Sequence, residues 1–225
     1  MSIITLWIEG DWLGPLGAGI VGLGWGFAAD RIAARWPAHE DGSVRQIDWR
    51  TILVVVTGGL AFGATEARFA AAPDQLLIVG LYVVALMLLF AIDLDQRLLP
   101  NSITYPLVVF ALVVFATGHG PFVRTPEDLA VAIGAAILIP LALFVLAIPF
   151  GDGAIGEGDL KLLVSVGLLA GAQKSFYGLV SGALLAGIVV AVLVVTRRIS
   201  MKSFVPYGPF LIAGTLWSIL ALSGP

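Results

Sequence analysis

The sequence predicts an all-α, polytopic membrane protein of about eight transmembrane helices, and three observations support this fold class. Hydrophobic residues make up 59% of the 225-residue chain, and charged residues only 12%. The mean hydropathy of +1.02 lies far above that of soluble domains. Apolar stretches of about 20 residues, enough to cross a hydrocarbon core roughly 30 Å thick, recur almost from end to end. We therefore expect a single transmembrane domain over residues 1–225, embedded in a lipid bilayer.

The order of the spans follows from hydropathy windows of about 19 residues. The spans are expected near residues 12–29, 51–66, 75–92, 102–118, 128–149, 160–173, 175–196 and 204–222. Spans 51–66 and 160–173 are short, so each could be tilted or could cross the bilayer only in part. The longest hydrophilic stretch, residues 30–50, is too short to hold a core of its own and is predicted to be a loop.

The basic residues indicate how these spans are oriented. With eight spans, nine basic residues fall on one side of the membrane and three on the other. The positive-inside rule places the nine in the cytoplasm and both chain termini outside. The larger set is Arg31, Arg35, Arg45, Arg50, Arg97, Lys161, Arg197, Arg198 and Lys202, and the smaller set is Arg68, Arg124 and Lys174.

Composition also excludes several classes of function. The chain has no cysteine, so it has neither a disulfide, nor a thiol nucleophile, nor a cysteine-based metal site. Its two histidines, His39 and His119, are far apart in sequence, and no metal or other cofactor is expected. The net charge of −3, in a chain whose charges mark topology, gives no indication of nucleic-acid binding.

Two acidic motifs lie where hydrophobic spans meet the predicted cytoplasmic side. The first begins with Asp93 at the end of the third span and, after five intervening residues, closes with Leu99-Pro100-Asn101. The second, Gly-Glu-Gly-Asp-Leu-Lys at residues 156–161, opens the sixth span after a glycine-rich loop. A carboxylate at such a boundary costs free energy unless it is hydrated or paired. The shared side therefore predicts that Asp93 and Asp159 meet.

Two facing carboxylates have the chemistry of aspartyl proteolysis, because like charges about 3 Å apart cannot both ionise and so share one proton. One carboxylate then acts as a base and the other as an acid. Either aspartate alone could instead have a purely structural role. Asp159, for example, lies near a helix N-terminus and could cap the helix. Asp95 is the alternative to Asp93 as the first catalytic aspartate.

These motifs resemble the signature of the type IV prepilin peptidase family, a branch of the GxGD membrane aspartyl proteases. The matching elements are an aspartate followed by five residues and Leu-Pro-Asn at 93–101, and GxGD followed by a hydrophobic residue and lysine at 156–161. Residues 103–106 and 206–209 are also similar to the family's I-T-x-P and P-x-G-P segments. The resemblance covers roughly residues 75 to 222.

The resemblance implies a peptidase that removes a short basic leader from prepilin-like or pseudopilin-like single-span precursors. The active site would face the cytoplasm from the bacterial inner membrane. Asp93 and Asp159 would be the catalytic pair, with Lys161, Gly156, Gly158 and Asp95 as auxiliary residues. Lys161 would orient Asp159 or keep it ionised, although it also fits a topology anchor. The negative charges of Asp95, Asp152 and Glu157 could attract the basic leader.

One departure from the family concerns the loop at residues 30–50. Many bacterial members carry two C-x-x-C pairs there, read as a structural zinc site, and also methylate the new N-terminus with S-adenosylmethionine. Here the loop is short and has no cysteine, which excludes that zinc site on ligand grounds. The sequence therefore predicts a minimal, peptidase-only form with no cofactor, in which methyltransferase activity is doubtful.

Other functions remain open at this point. A transporter could use the same aspartates to bind a cation or relay protons, but its carboxylates would be expected near the membrane midplane. A non-catalytic assembly factor for a pilus or secretion system could retain the scaffold. Presenilin-like proteases also use GxGD, although Ile92 precedes Asp93 where they usually have tyrosine. Gly178 and Gly182 form a small-xxx-small pair that fits helix packing within the chain or a homodimer.

Overall fold

The computed structural model describes residues 12–39, 42–151, 155–198 and 207–222. These ranges form seven α-helices and one short 3₁₀ helix, Ile148–Phe150, and contain no strand. The prediction of an all-α fold is confirmed. The helices are α1 (Leu13–Ala33), α2 (Trp49–Phe69), α3 (Pro73–Gln96), α4 (Asn101–Ala116), α5 (Pro126–Ala147), α6 (Glu157–Val195) and α7 (Gly208–Leu220).

Four of these helices, α2, α3, α5 and α6, are long and apolar enough to cross a membrane. Helices α4 and α7 are apolar but shorter. This is the pattern of a multi-pass membrane protein. The count of eight spans and the outward placement of both termini stay predictions, as does the single domain over 1–225.

Helix α6 contains a break that divides it in two. Gly171 has φ 77° and ψ 176°, which is not helical, within an otherwise continuous helix. Beyond the break, a Cβ on Gly178 would lie 3.2 Å from Cα of Thr215, and one on Gly182 would lie 2.7 Å from the carbonyl oxygen of Phe210. The second half of α6 therefore runs antiparallel to α7. The break falls close to the boundary predicted between spans 160–173 and 175–196.

The close approach at Gly178 and Gly182 also bears on the small-xxx-small pair. Both glycines are buried and both pack against α7 of the same chain. This is the intramolecular packing that small residues permit between membrane helices. The homodimer stays a prediction, and this pair does not support it because its surface is used within the chain.

Helix α3 is the central helix of the bundle. Half of its most apolar window is buried inside the protein, a larger share than in the three other long apolar helices. The hydroxyl of Tyr82 on α3 lies 2.9 Å from that of Ser165 on α6, in a hydrogen bond shielded from solvent. Since α3 carries the first acidic motif and α6 the second, this contact ties together the two helices that present them.

Candidate active site

The structure brings the two acidic motifs to one end of the bundle. Asp93 lies in the last turn of α3 and Asp159 in the first turn of α6. Both are buried, with 4% and 8% of their surface exposed. Asp159 is the third residue of α6, where the partial positive charge of the helix N-terminus favours a carboxylate. The predicted position of Asp159 near a helix N-terminus is therefore observed, whereas its role stays a prediction.

Gly208, the first residue of α7, lies between the two carboxylates. A Cβ at this position would be 2.8 Å from Cγ of Asp93 and 2.9 Å from Oδ1 of Asp159, and closer still to Oδ2 of Asp93. Real Cβ atoms essentially never approach other atoms so closely. Both carboxylates thus face one point, and only a residue without a side chain fits there. The sequence interpretation did not assign Gly208 to the site. Its one signal was the P-x-G-P segment.

The oxygen Oδ2 of Asp93 is buried and has no hydrogen-bond partner in the part of the chain that the structure describes. It points to the same small space as Oδ1 of Asp159. Burial makes a second negative charge there costly, and two like charges repel at short range. The stable arrangement is one proton shared by the pair. The site can therefore present a base and an acid at the same time.

Gly158 of the second motif packs directly on the first motif. A Cβ on Gly158 would lie 2.6 Å from Cβ and 3.2 Å from the carbonyl oxygen of Leu99. Leu99 is buried at the start of the segment that leads into α4. The glycine preceding Asp159 therefore allows α6 to begin close to the end of α3. This is a physical reason for the second glycine of the GxGD motif.

Lys161 lies one turn beyond the cap of α6 and bridges the two motifs. Its Nζ is 3.0 Å from Oδ1 of Asn101 and 3.2 Å from Oε2 of Glu157. The same ammonium lies 5.4 Å from the ring centroid of Tyr105 on α4. Asn101 closes the first motif, so Lys161 links the start of α4 to the start of α6. Its recorded partners do not include Asp159, whose orientation it was expected to control.

Asp95 has a different environment from Asp93, although the two lie in the same helical turn. Its side chain is 3% exposed and contacts three cationic or titratable side chains, those of His39, Arg45 and Arg50. All three belong to the segment between α1 and α2 or to the first turn of α2. Buried under these side chains, the carboxylate is poorly placed to attract a leader. Asp152, also expected to do so, lies outside the described residues, whereas the side chain of Glu157 is 88% exposed.

The segment between α1 and α2 does not fit the zinc site that the family resemblance implies. The chain has no cysteine, and in the described residues no three His, Asp or Glu side chains converge to hold a metal. Instead, the fully buried carboxylate of Asp30 accepts hydrogen bonds from Arg31, Arg45 and Thr51. Guanidinium groups already neutralise the carboxylates at this place. No step of the chemistry is therefore assigned to a metal.

Comparisons with known proteins agree with these motifs. The model of the type IV leader peptidase family (Peptidase_A24) matches residues 80–194, which include Asp93 and Asp159. A "Prepilin leader peptidase/N-methyltransferase" from Pseudomonas putida is 30% identical over 177 residues, covering 77% of this chain and 60% of that protein. A protein of the same name from Burkholderia pseudomallei (strain 1026b) is 32% identical over 164 residues, covering 72% and 52%.

A third relative is a protein of the same name from Dickeya chrysanthemi. It is 29% identical over 198 residues, covering 86% of this chain and 67% of that protein. The chain thus spans only 60% and 52% of the Pseudomonas and Burkholderia relatives. No solved structure matches the chain.

Proposed function

Because the chain belongs to the type IV leader peptidase family, we propose that it is an aspartyl endopeptidase that removes the leader from prepilin-like precursors. One observation supports this proposal most strongly. The carboxylates of Asp93 and Asp159 face a common point beside Gly208, and Oδ2 of Asp93 has no other partner among the described residues. The relatives named prepilin leader peptidase share the region that carries both aspartates.

The proposed reaction uses the single proton of the pair. The ionised carboxylate takes a proton from a water molecule, whose oxygen forms a bond to the scissile carbonyl carbon. The protonated carboxylate hydrogen-bonds the carbonyl oxygen as negative charge develops on it. When the tetrahedral intermediate collapses, the amide nitrogen takes up the proton that the first carboxylate received from water, the C–N bond breaks and the carbonyl re-forms. The products are a carboxylic acid and an amine, and the pair again holds one proton.

The expected substrate is a single-span precursor whose short basic leader meets the site where its helix enters the membrane. We propose that this site faces the cytoplasm from the bacterial inner membrane, as the nine-to-three distribution of basic residues indicates. Among the described residues that were predicted to attract the leader, Glu157 has the exposed carboxylate. Unwinding a substrate helix at the interface costs less than at the bilayer centre, because water there satisfies freed backbone groups.

We propose only the peptidase activity for this chain. The names of the relatives also include N-methyltransferase, but those proteins are longer than the region that this chain shares with them. The segment between α1 and α2, where many family members carry zinc-binding cysteines, here holds an aspartate and arginine network.

The test is cleavage of a prepilin-like substrate by the purified full chain in detergent, with the cut position read by mass spectrometry. We expect one cut at the boundary between the basic leader and the hydrophobic segment, and no cut with Asp159→Asn. Asp74→Asn, at the other end of α3, is the matched control and should cleave normally. Equal cleavage by the Asp159→Asn variant would contradict the proposal, and proton transport without cleavage would favour a transporter.

A further inference from the structure

The last turn of α3 carries Asp95 roughly 200° around the helix from Asp93, since an α-helix has 3.6 residues per turn. We propose that Asp95, paired with Arg45, is a positioning residue that holds Asp93 at the separation from Asp159 that the reaction needs. This inference rests on the proposed peptidase function and assigns Asp95 a role that is neither catalytic nor leader-binding.

Asp95 is bound by the segment between α1 and α2 and by the first turn of α2. Its Oδ1 lies 2.8 Å from Nε of Arg45 and 3.1 Å from Nη1 of Arg50. Its Oδ2 lies 3.2 Å from Nε2 of His39. The Arg45 contact is a close ion pair rather than a well-directed hydrogen bond, because Nε has no hydrogen-bond partner by geometry. Only 3% of the Asp95 side chain is exposed, so these contacts are shielded from solvent.

Arg45 in turn connects Asp95 to two other elements. Its guanidinium donates to the buried carboxylate of Asp30 at the end of α1, and lies 2.7 Å from Oδ1 of Asp48, which caps α2. Burial alone would lower the pKa of Arg45, but the hydrogen bond and the charge of Asp30, with the charges of Asp95 and Asp48, raise it. Arg45 is therefore a permanent cation that joins α1, α2 and α3.

The neighbour of Asp95 strengthens the same attachment. Nε2 of Gln96 donates to the carbonyl oxygens of Pro37, at 2.7 Å, and Ala33, at 3.2 Å. Two consecutive side chains of the last turn of α3 are thus bound to the end of α1 and to the segment that follows it. Asp93, on the other face of the turn, points to α6 and α7.

Two local features make the last turn of α3 depend on these tertiary contacts. It ends at Arg97 with φ 56° and ψ 40°, a left-handed conformation that is unfavourable for a residue with a side chain. Helix ends fray unless tertiary contacts hold them. Oδ2 of Asp93 has no hydrogen-bond partner in the described residues that would fix it. The position of the Asp93 carboxylate therefore depends on the backbone of the turn, and hence on Asp95 and Gln96.

A more mobile last turn of α3 would change the rate and the pH dependence of cleavage. Two carboxylates share one proton over a wide pH range only while they are close, because their repulsion separates the two protonation steps. A larger separation would lower kcat and narrow the pH range over which the pair carries a single proton. Substrate binding, which involves other surfaces, would change little.

The experiment compares Asp95→Asn, Arg45→Gln and the double variant in the full chain, with Asp74→Asn as the control. We expect Asp95→Asn to lower kcat by roughly 10- to 100-fold, the scale of a displacement near 1 Å, with KM almost unchanged. Its bell-shaped pH profile should be narrower than that of the natural protein. Arg45→Gln should act in the same direction, and Arg45→Lys should retain more activity. Because Arg45→Gln also removes a counterion of Asp30, the double variant should lose little more activity than Arg45→Gln.

Three outcomes would overturn the inference while leaving the peptidase function intact. The first is an Asp95→Asn variant as active as the natural protein. The second is complete loss of cleavage, as expected for Asp93→Asn, which would make Asp95 catalytic. The third is a loss that follows only the folded fraction, measured by thermal unfolding, with a pH profile of unchanged width. A natural protein that cleaves nothing would instead refute the proposed function, and the inference with it.

Discussion

Two groups of buried carboxylates lie at the same end of this protein, and they are neutralised in opposite ways. Asp30 and Asp95 are each bound by arginine side chains. Asp93 and Asp159 instead face each other beside Gly208, and among the residues that the structure describes no arginine or lysine forms a hydrogen bond or ion pair with them. A buried charge with a bound counterion can serve a structural role, whereas two buried carboxylates without one must share a proton. The presence of a bound counterion, rather than burial, therefore distinguishes the structural carboxylates from the proposed catalytic pair.

Among changes that leave both aspartates in place, the largest expected effect comes from filling the space between the proposed catalytic carboxylates. In a Gly208→Ala variant the new Cβ would overlap Asp93 and lie within 2.9 Å of Asp159. The pair would be forced apart, and we expect cleavage to fall by about 100-fold or more, as for other misplaced catalytic groups. The measurement is kcat on a prepilin-like substrate. Gly187→Ala, where a Cβ meets nothing within 4 Å, is the matched control and should remain active.

The counterpart in the arginine-bound group is Asp30→Asn. This change keeps the shape of the side chain but removes the buried charge that Arg31 and Arg45 share, so that Arg45 retains only Asp48 and Asp95 as carboxylate partners among the described residues. Breaking a buried ion pair in this way costs about 3–5 kcal/mol of the free energy of unfolding. Denaturant-induced unfolding in detergent should show this loss, and Asp74→Asn, exposed at the start of α3, should not. Unchanged stability in Asp30→Asn would mean that the arginine network does not hold this end together.

Gly158→Ala tests the contact between the two motifs. Its Cβ would lie 2.6 Å from Cβ of Leu99, and overpacking of this kind typically costs about 1–3 kcal/mol. We expect lower stability and reduced cleavage, with partial recovery in the Gly158→Ala/Leu99→Gly double variant, because the second change removes the obstructing Cβ. Gly134→Ala, with open space around its Cβ, is the control. A double variant no better than the single one would refute this packing explanation.

The smallest expected effect concerns leader attraction. Glu157 is exposed, so Glu157→Gln should raise KM only a few-fold, and more at low salt than at high salt because salt screens exposed charges. Glu127→Gln, an exposed acidic residue in the first turn of α5, should leave KM unchanged at both salt concentrations. A salt-independent effect in Glu157→Gln would assign the residue to its contact with Lys161 instead.

The sequence predicted the elements of the site that depend on local pattern. Hydropathy located the helices, and the two motifs identified Asp93 and Asp159 at helix ends that the structure brings together. Gly171 divides α6 near the predicted boundary because glycine tolerates a positive φ, which is a local property. These predictions required no knowledge of which helices are neighbours.

Other features depended on contacts between residues that are distant in sequence. Asp95 is bound by Arg45 and Arg50, and nothing in its own motif distinguishes such a carboxylate from one that attracts a leader. Gly208 contacts Asp93 only because α7 packs against the end of α3, a relationship that hydropathy does not contain. Lys161 follows Asp159 closely in sequence, yet its position in the first turns of α6 directs it to Asn101 instead.

The central claim, that Asp93 and Asp159 act as one catalytic pair, is tested most directly by comparing Asp93→Asn, Asp159→Asn and the double variant in one cleavage assay. General acid–base catalysis contributes roughly 10²- to 10⁴-fold, so each single variant should lose activity on that scale or more. Since one proton is shared, the double variant should be hardly worse than either single variant. Cleavage within about 10-fold of the natural rate in either single variant, or losses that multiply in the double variant, would contradict the account.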